Sequence, residues 1–213
     1  FNTALDTWYQ ENKRAFSWRQ TNDPYNIWIS EIMSQQTQIE RVSQKFYPRF
    51  LDQYPNIQSL AETTWDELYP YWRGLGFYRR GKNMIRCAKL VVENHNGEFP
   101  KLTDELTALP GIGIYTAHAI KAFAYNEKVP ALDTNLEKII TVLWPESNIT
   151  EKATELVQAS NSGALWNSAM MDLASHLRQR KLLTGPIAAI ITPEIAQHFL
   201  PKPKEKKVTP KKV

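Results

Sequence analysis

Apolar residues recur along the chain at intervals of three and four, in runs broken by caps and turn formers, and β-branched alternation is scarce. That pattern predicts an all-α protein of eight to ten helices with no sheet. Asp23-Pro24 ends a loop and opens a helix expected to run to Ile39 or beyond. Pro48 and Pro55 punctuate the next elements. Thr63-Thr64-Trp65-Asp66-Glu67 has the form of a capped helix start. Gly74-Leu75-Gly76 breaks the chain, and Gly97 to Pro100 forms a turn. Thr103 begins a helix that stops at Pro110-Gly111. Others run from near Ile114 to Tyr125, from after Asp133, and over Ala164–Lys181.

Composition adds a core and locates the charge. Of the 213 residues, 42% are hydrophobic and 11% aromatic, enough for one large domain or two small lobes sharing a cleft. The net charge is +4, but Lys202 to Val213 holds six Lys and one Glu. The other 201 residues carry 20 basic and 21 acidic groups, a net of −1. A nucleic-acid partner would therefore have to meet a local patch. Leu68 to Val92 supplies one: no acid, six basic residues, and Tyr69, Tyr71, Trp72, Phe77 and Tyr78 among them. Interleaved cations and rings suit phosphate neutralisation and base stacking; a solvated helix face over core aromatics is an equally good reading of composition alone. The Lys/Pro-rich residues 201–213 read as a disordered basic tail or linker. The single cysteine, Cys87, rules out an internal disulfide and an all-cysteine cluster, and reads as a small buried apolar residue. His95, His118, His176 and His198 show no metal-ligand spacing. No signal-like segment or membrane-length apolar run occurs, so an intracellular protein without a membrane partner is expected.

Three stretches carry chemistry. Leu109-Pro110-Gly111-Ile112-Gly113, followed by Thr116-Ala117, joins two helices by a tight turn. Its glycines permit positive φ and close approach, and the next helix start offers free N–H groups to an anion such as a DNA phosphate. An ordinary helix–turn–helix corner is the alternative. Asp133 lies 20 residues past Gly113, directly before a helix. It could be a plain N-cap, yet a capping Asp leaves one oxygen free to face a cleft. The third stretch is Trp28 to Gln38. There Glu31 sits among apolar residues with Gln35 and Gln36 four and five positions on. A semi-buried Glu holds its proton near neutrality and can serve as a general acid; a solvent-facing Glu on an amphipathic helix is the commoner case.

Taken together, these motifs resemble the helix–hairpin–helix DNA glycosylases. The set comprises Phe16-Ser17-Trp18-Arg19, Asp23-Pro24-Tyr25, Trp28 to Gln38, Gly74 to Tyr78, Leu109 to Gly113 and Leu132 to Asn135, in the family's order and spacing. SEIMSQQTQ, GLGFY and WNSAMMDLA look like the MutY branch, which removes mispaired adenine. The resemblance covers roughly residues 1 to 176. It implies a two-lobed fold with a six-helix barrel at 21–128, a second lobe from 1–20 plus 129–200, and a cleft that receives a base flipped from mismatched double-stranded DNA. It implies a monomeric, monofunctional enzyme, DNA-associated in the nucleoid if bacterial.

Residue by residue, the resemblance makes Glu31 the acid that protonates adenine and Asp133 the carboxylate beside the sugar cation, with Asn135 near it. Tyr115 stands where lyase-active relatives carry a nucleophilic Lys. Gln35, Gln36, Phe77 and Tyr78 match positions that probe or wedge the base stack. Arg79, Arg80, Leu109, Gly111, Ile112, Gly113 and Thr116 are expected at the DNA. Arg14, Trp18, Arg19 and Ser168 match the wall of the base pocket; packing of the N-terminal helix is an equal reading for Trp18.

The chain also departs from the branch. Arg178 stands where relatives place the first cysteine of a four-iron cluster, so no iron–sulfur cofactor is expected, only a monovalent cation at the hairpin. Arg178, Arg180, Lys181 and the apolar run Ile187–Ile191 are candidates to replace the cluster. Ser34 replaces a usual Leu, Ser168 a usual Gln or Glu, and Thr134 a usual Gly. Relatives carry a C-terminal domain that reads 8-oxoguanine. Two rivals stay open: a thymine or uracil mismatch glycosylase, and a catalytically silent DNA-binding module.

Overall fold

The computed structural model describes residues 1–200, so the expected basic tail at 201–213 lies outside them. Among the described residues all regular structure is helical. The helices are α1 (Asn2–Asn12), α2 (Pro24–Ser34), α3 (Ile39–Arg41), α4 (Tyr47–Gln53), α5 (Ile57–Glu62), α6 (Trp65–Trp72), α7 (Tyr78–His95), α8 (Thr103–Ala108), α9 (Ile114–Tyr125), α10 (Thr134–Leu143), α11 (Ile149–Gln158), α12 (Gly163–Arg178), α13 (Pro186–Ile190) and α14 (Pro193–Ala196). The number exceeds the eight to ten expected because several are single turns with too few residues to show a period. None is long and apolar enough to cross a membrane.

Two hydrophobic cores divide the chain. The first runs from Phe16 to Ile120 and is built around fully buried Trp28, Phe50, Leu68 and Trp72. The second joins Ala4–Tyr9 of α1 to α10, α11, α12 and residues up to Phe199, around Trp166. Burying each such large side chain contributes about 1.5–3 kcal/mol. Phe16 and Trp18 belong to the first core, not to the second lobe expected for residues 1–20. The segment after α1 therefore crosses from one lobe to the other. Cys87 is buried in the first core, which pushes its thiol up to about 12 and leaves it unreactive at neutral pH.

The caps follow the sequence closely. Asp23 accepts from the Tyr25 N–H at 2.8 Å and opens α2, with Pro24 at its first position. Thr64 and Glu67 form a reciprocal capping box on α6. The expected continuation of α2 to Ile39 fails, however. The helix ends at Ser34, and Gln36 takes a left-handed φ of 56°.

Arg80 secures this break. From α7 its guanidinium donates to the carbonyls of Ile32 (2.7 Å), Gln35 and Leu75 (3.1 Å). These are carbonyls that the end of α2 and the turn before α7 leave without helical partners. Arg80 is thus a half-buried structural cap, and it also lines the cavity beside the hairpin. Replacing it with Met is expected to lower stability by about 2–4 kcal/mol while leaving the salt dependence of DNA affinity unchanged. Thermal melting and a salt titration check this, with exposed Arg79→Met as the contrast: it should reduce the salt slope by about 1.

Candidate active site in the interlobe cleft

The site is assembled from both lobes. The first supplies Glu31 on α2 and Tyr115 on α9, two helices packed closely against each other. Tyr115 donates its hydroxyl to Glu31 Oε2 at 2.8 Å. Burial is the main cause pushing Glu31 up to about 7; the Tyr115 hydrogen bond opposes it, the Asp133 charge adds to it, and the Arg19 charge opposes it. With Oε2 committed as an acceptor, the proton of the acid form belongs on Oε1. Burial, then the Glu31 charge and hydrogen bond, then Asp133, hold the Tyr115 phenol well above its ordinary range, so it stays a neutral donor.

The second lobe supplies Asp133, which caps α10. Its Oδ1 accepts from the N–H groups of Asn135 (2.9 Å) and Leu136 (2.8 Å), and its Oδ2 from the Asn135 side chain (2.7 Å). Asp133 is an N-cap with both oxygens engaged, and its charge adds to the causes that raise Glu31 and Tyr115. Arg178 reaches Asn135 Oδ1 at 3.4 Å from the end of α12.

The strand of chain leading to Asp133 is pinned by residues that the sequence reading passed over. Buried Asn167 accepts from the Ala131 N–H at 2.8 Å and donates to the Val129 carbonyl at 2.9 Å. His118 pairs with the Pro130 carbonyl at 3.0 Å. Gly163 must be glycine, since a Cβ there would lie 2.0 Å from the Glu127 carbonyl oxygen. Asn167 stands in the WNSAMMDLA stretch, where the signal is a buried amide beside Trp166.

The hairpin joins α8 to α9 and lines a cavity with Pro110 and Gly111. Gly111 has φ 83°, and a Cβ there would press on Asn83 at 3.1 Å. Gly113 is different: its φ is −94°, and a Cβ would meet nothing. What Gly113 provides is open space before α9, whose first N–H groups have no side-chain cap. Leu109, Ile112 and Thr116 point inward and are buried, so only their backbone can face a ligand.

Beside the hairpin is a cavity of about 360 Å³ lined by Trp28, Gln35, Gln36, Phe77, Arg79 and Asn83, among others. Two of its lining residues, Gln36 and Phe77, have left-handed φ of 56° and 46°. Non-glycine residues held this way cost about 1–3 kcal/mol each and cluster at working surfaces. Phe77 is 61% exposed with its ring free of the core. Tyr78, by contrast, packs on Trp65 and Tyr69.

The expected base-pocket wall differs in detail. Trp18 stacks on Phe16 with centroids 4.8 Å apart and belongs to the first core. Arg14 and Arg19 both bind Asp172. Ser168 is buried. The four-cysteine cluster of the resembling enzymes does not fit here. Cys87 is the one thiol in the sequence and sits in the other lobe, and no cluster of His, Cys, Asp or Glu able to hold a metal occurs among the described residues.

Residues 29–161 match the HhH-GPD superfamily base excision DNA repair proteins. The adenine DNA glycosylase of Buchnera aphidicola subsp. Baizongia pistaciae is 36% identical over 155 residues, covering 73% of this chain and 44% of that protein. The Homo sapiens adenine DNA glycosylase is 31% identical over 194 residues, covering 82% of this chain and 35% of its own length. The chain spans about half the length, or less, of these curated relatives. Among solved structures, a thermostable thymine-DNA glycosylase superposes with a TM-score of 0.76 at 26% identity, covering 82% of this chain and 84% of that one. An endonuclease III–DNA complex shares the fold, with a TM-score of 0.65, 21% identity and 82% of each chain covered. With a match running through Glu31, Tyr115 and Asp133, this chain belongs to the HhH-GPD superfamily of base excision DNA repair proteins.

Proposed function

We propose that this chain is the catalytic part of a DNA glycosylase that hydrolyses the N-glycosidic bond of adenine mispaired with guanine or 8-oxoguanine. The observation that carries the reading is the Tyr115 hydroxyl donated to Glu31 Oε2 at 2.8 Å; burial, with the Asp133 charge adding to it, pushes the Glu31 carboxyl up to about 7. Adenine leaves readily only when protonated, and the sugar left behind carries cationic character. Glu31 gives its proton from Oε1 to N7 of a flipped adenine. The bond from C1′ to N9 breaks with its electron pair going to the base. The Asp133 carboxylate stabilises the positive C1′, which water attacks, losing a proton to the cleft carboxylates. Phe77 fills the gap left in the stack, offsetting an unstacking cost of about a few kcal/mol. The uncapped start of α9 and Arg79 take phosphates.

The relatives named adenine DNA glycosylase support the choice of base. Thymine is the second reading, favoured by the likeness to the thymine-DNA glycosylase structure and by Ser168, too short to reach a purine as a Gln or Glu would. Duplexes holding A·8-oxoguanine, A·G, T·G and U·G separate the two when the freed base is identified by chromatography. Free adenine is expected; thymine or uracil alone contradicts the reading.

The chemistry proceeds without a lyase step, because a phenol at position 115 cannot form a Schiff base with the opened sugar. Borohydride is expected to trap no protein–DNA adduct during turnover. A stoichiometric adduct would contradict this. We also propose that no iron–sulfur cluster takes part, Arg178 standing at that end of α12.

A further inference from the structure

The segment that crosses between the lobes is tied down by one carboxylate. Asp172 on α12 is buried, and α12 belongs to the second core. Its Oδ1 accepts from Arg14 Nε at 2.6 Å and Arg19 Nη2 at 2.9 Å. Its Oδ2 accepts from the Arg14 N–H at 2.9 Å and Arg19 Nη1 at 2.7 Å. Arg19 Nη1 also donates to the Arg14 carbonyl at 3.0 Å, closing the segment into a loop around the carboxylate. Between and beside the two arginines, Phe16 and Trp18 are anchored in the first core. One second-lobe residue thus holds a loop whose rings are rooted in the first.

Two arginines share this one acid, so the cluster keeps a net positive charge. Arg19 is the member that acts on Glu31. The other groups facing Glu31 are Tyr115 from α9 and Asp133 ahead of α10. Nearby on packed elements, His118 is engaged with the Pro130 carbonyl and Tyr47 of α4 donates to the Asn26 carbonyl. Lys45, in the π-helical segment Val42–Phe46 that leads into α4, lies against the Phe46 ring.

We propose that Asp172 is a positioning residue for the acid: by clamping Arg14 and Arg19 across the seam between the lobes, it fixes how much cationic charge Glu31 meets. The clamp neutralises part of the Arg19 charge and stops its guanidinium from swinging onto Glu31. Without it, Glu31 would ionise at a lower pH and fail as an acid near neutrality. This inference rests on the proposed acid role of Glu31, but its test does not require turnover.

The experiment is a titration of the Glu31 carboxyl by carbon-13 NMR in the free protein, alongside the pH profile of excision. Asp172→Asn is expected to move the Glu31 midpoint down by about half a unit or more, because Arg19 loses its counter-ion. Arg19→Gln is expected to move it up, because a cation is removed while Arg14 still holds Asp172. The descending limb of the excision profile should follow both shifts. A purely structural clamp would change melting temperature or turnover without opposite displacements of the midpoint. Midpoints that stay at the wild-type value, or that move in one direction in both variants, overturn the proposal. Should Asp172→Asn fail to fold, Asp172→Glu takes its place: with the charge kept but the guanidinium displaced, a moved Glu31 midpoint supports the clamp and a wild-type midpoint overturns it. A wild-type protein that releases no base would instead contradict the proposed function, and the midpoints would still report on the clamp.

Discussion

Glu31→Gln abolishes base release while duplex binding stays at the wild-type level. The amide preserves the shape of the carboxyl and can still accept the Tyr115 hydroxyl at its oxygen. What it lacks is a proton to give. General-acid contributions amount to about 100- to 10,000-fold, so single-turnover excision should fall by at least the lower figure. A second consequence has the opposite sign. Folding raises the Glu31 pKa from 4.5 to about 7. The folded state therefore binds a proton that the unfolded chain releases, and the associated stability is full below the unfolded value and is lost as pH rises through 7. The Gln variant carries no such loss. It is expected to melt above the wild type at pH 8, with the gap closing toward pH 5. A stabilised, inactive variant is what a strained catalytic acid predicts. A variant that excises adenine at the wild-type rate removes Glu31 from the mechanism.

Asp133→Asn is the second large effect, and here stability and activity part company differently. Asparagine caps helices about as well as aspartate, and its side-chain oxygen can take over the Asn135 and Leu136 N–H groups. Melting temperature should hardly change. Its amide carries no charge, so the cationic sugar loses its stabiliser, at a cost of about 100-fold or more in the excision step. The discriminating result is the pairing of an intact melt with a collapsed rate. Equal loss of both would make Asp133 a cap and nothing further.

Much of this site was legible before any coordinates. Glu31 stands out as an acid in an apolar run, Asp133 as a helix cap, and Gly111 as a turn residue needing positive φ. Those inferences work because each depends on local chemistry: a capping side chain, a helix period, a steric rule. Failures came where the deciding partner lies far along the chain. The capping role of Arg80 is invisible locally, because its partners are carbonyls 48 and 45 residues away. Those contacts also mark where α2 ends, at a place where the local pattern favours a continuing helix. For Trp18 the sequence leaves pocket wall and packing equally open, and its ring stacks on Phe16 within the first core. Asp172 was quoted within a motif and given no role, since the two arginines that define it lie more than 150 residues upstream.

Everything in the account turns on Glu31 acting in its protonated form. The most direct test is the pH dependence of single-turnover adenine release with enzyme in excess over A·G duplex. A decline of about tenfold per pH unit is expected above a midpoint near 7, and the residual rate of Glu31→Gln should lack that limb. A wild-type rate that stays level or climbs between pH 7 and 9, with the duplex fully bound throughout, would contradict it.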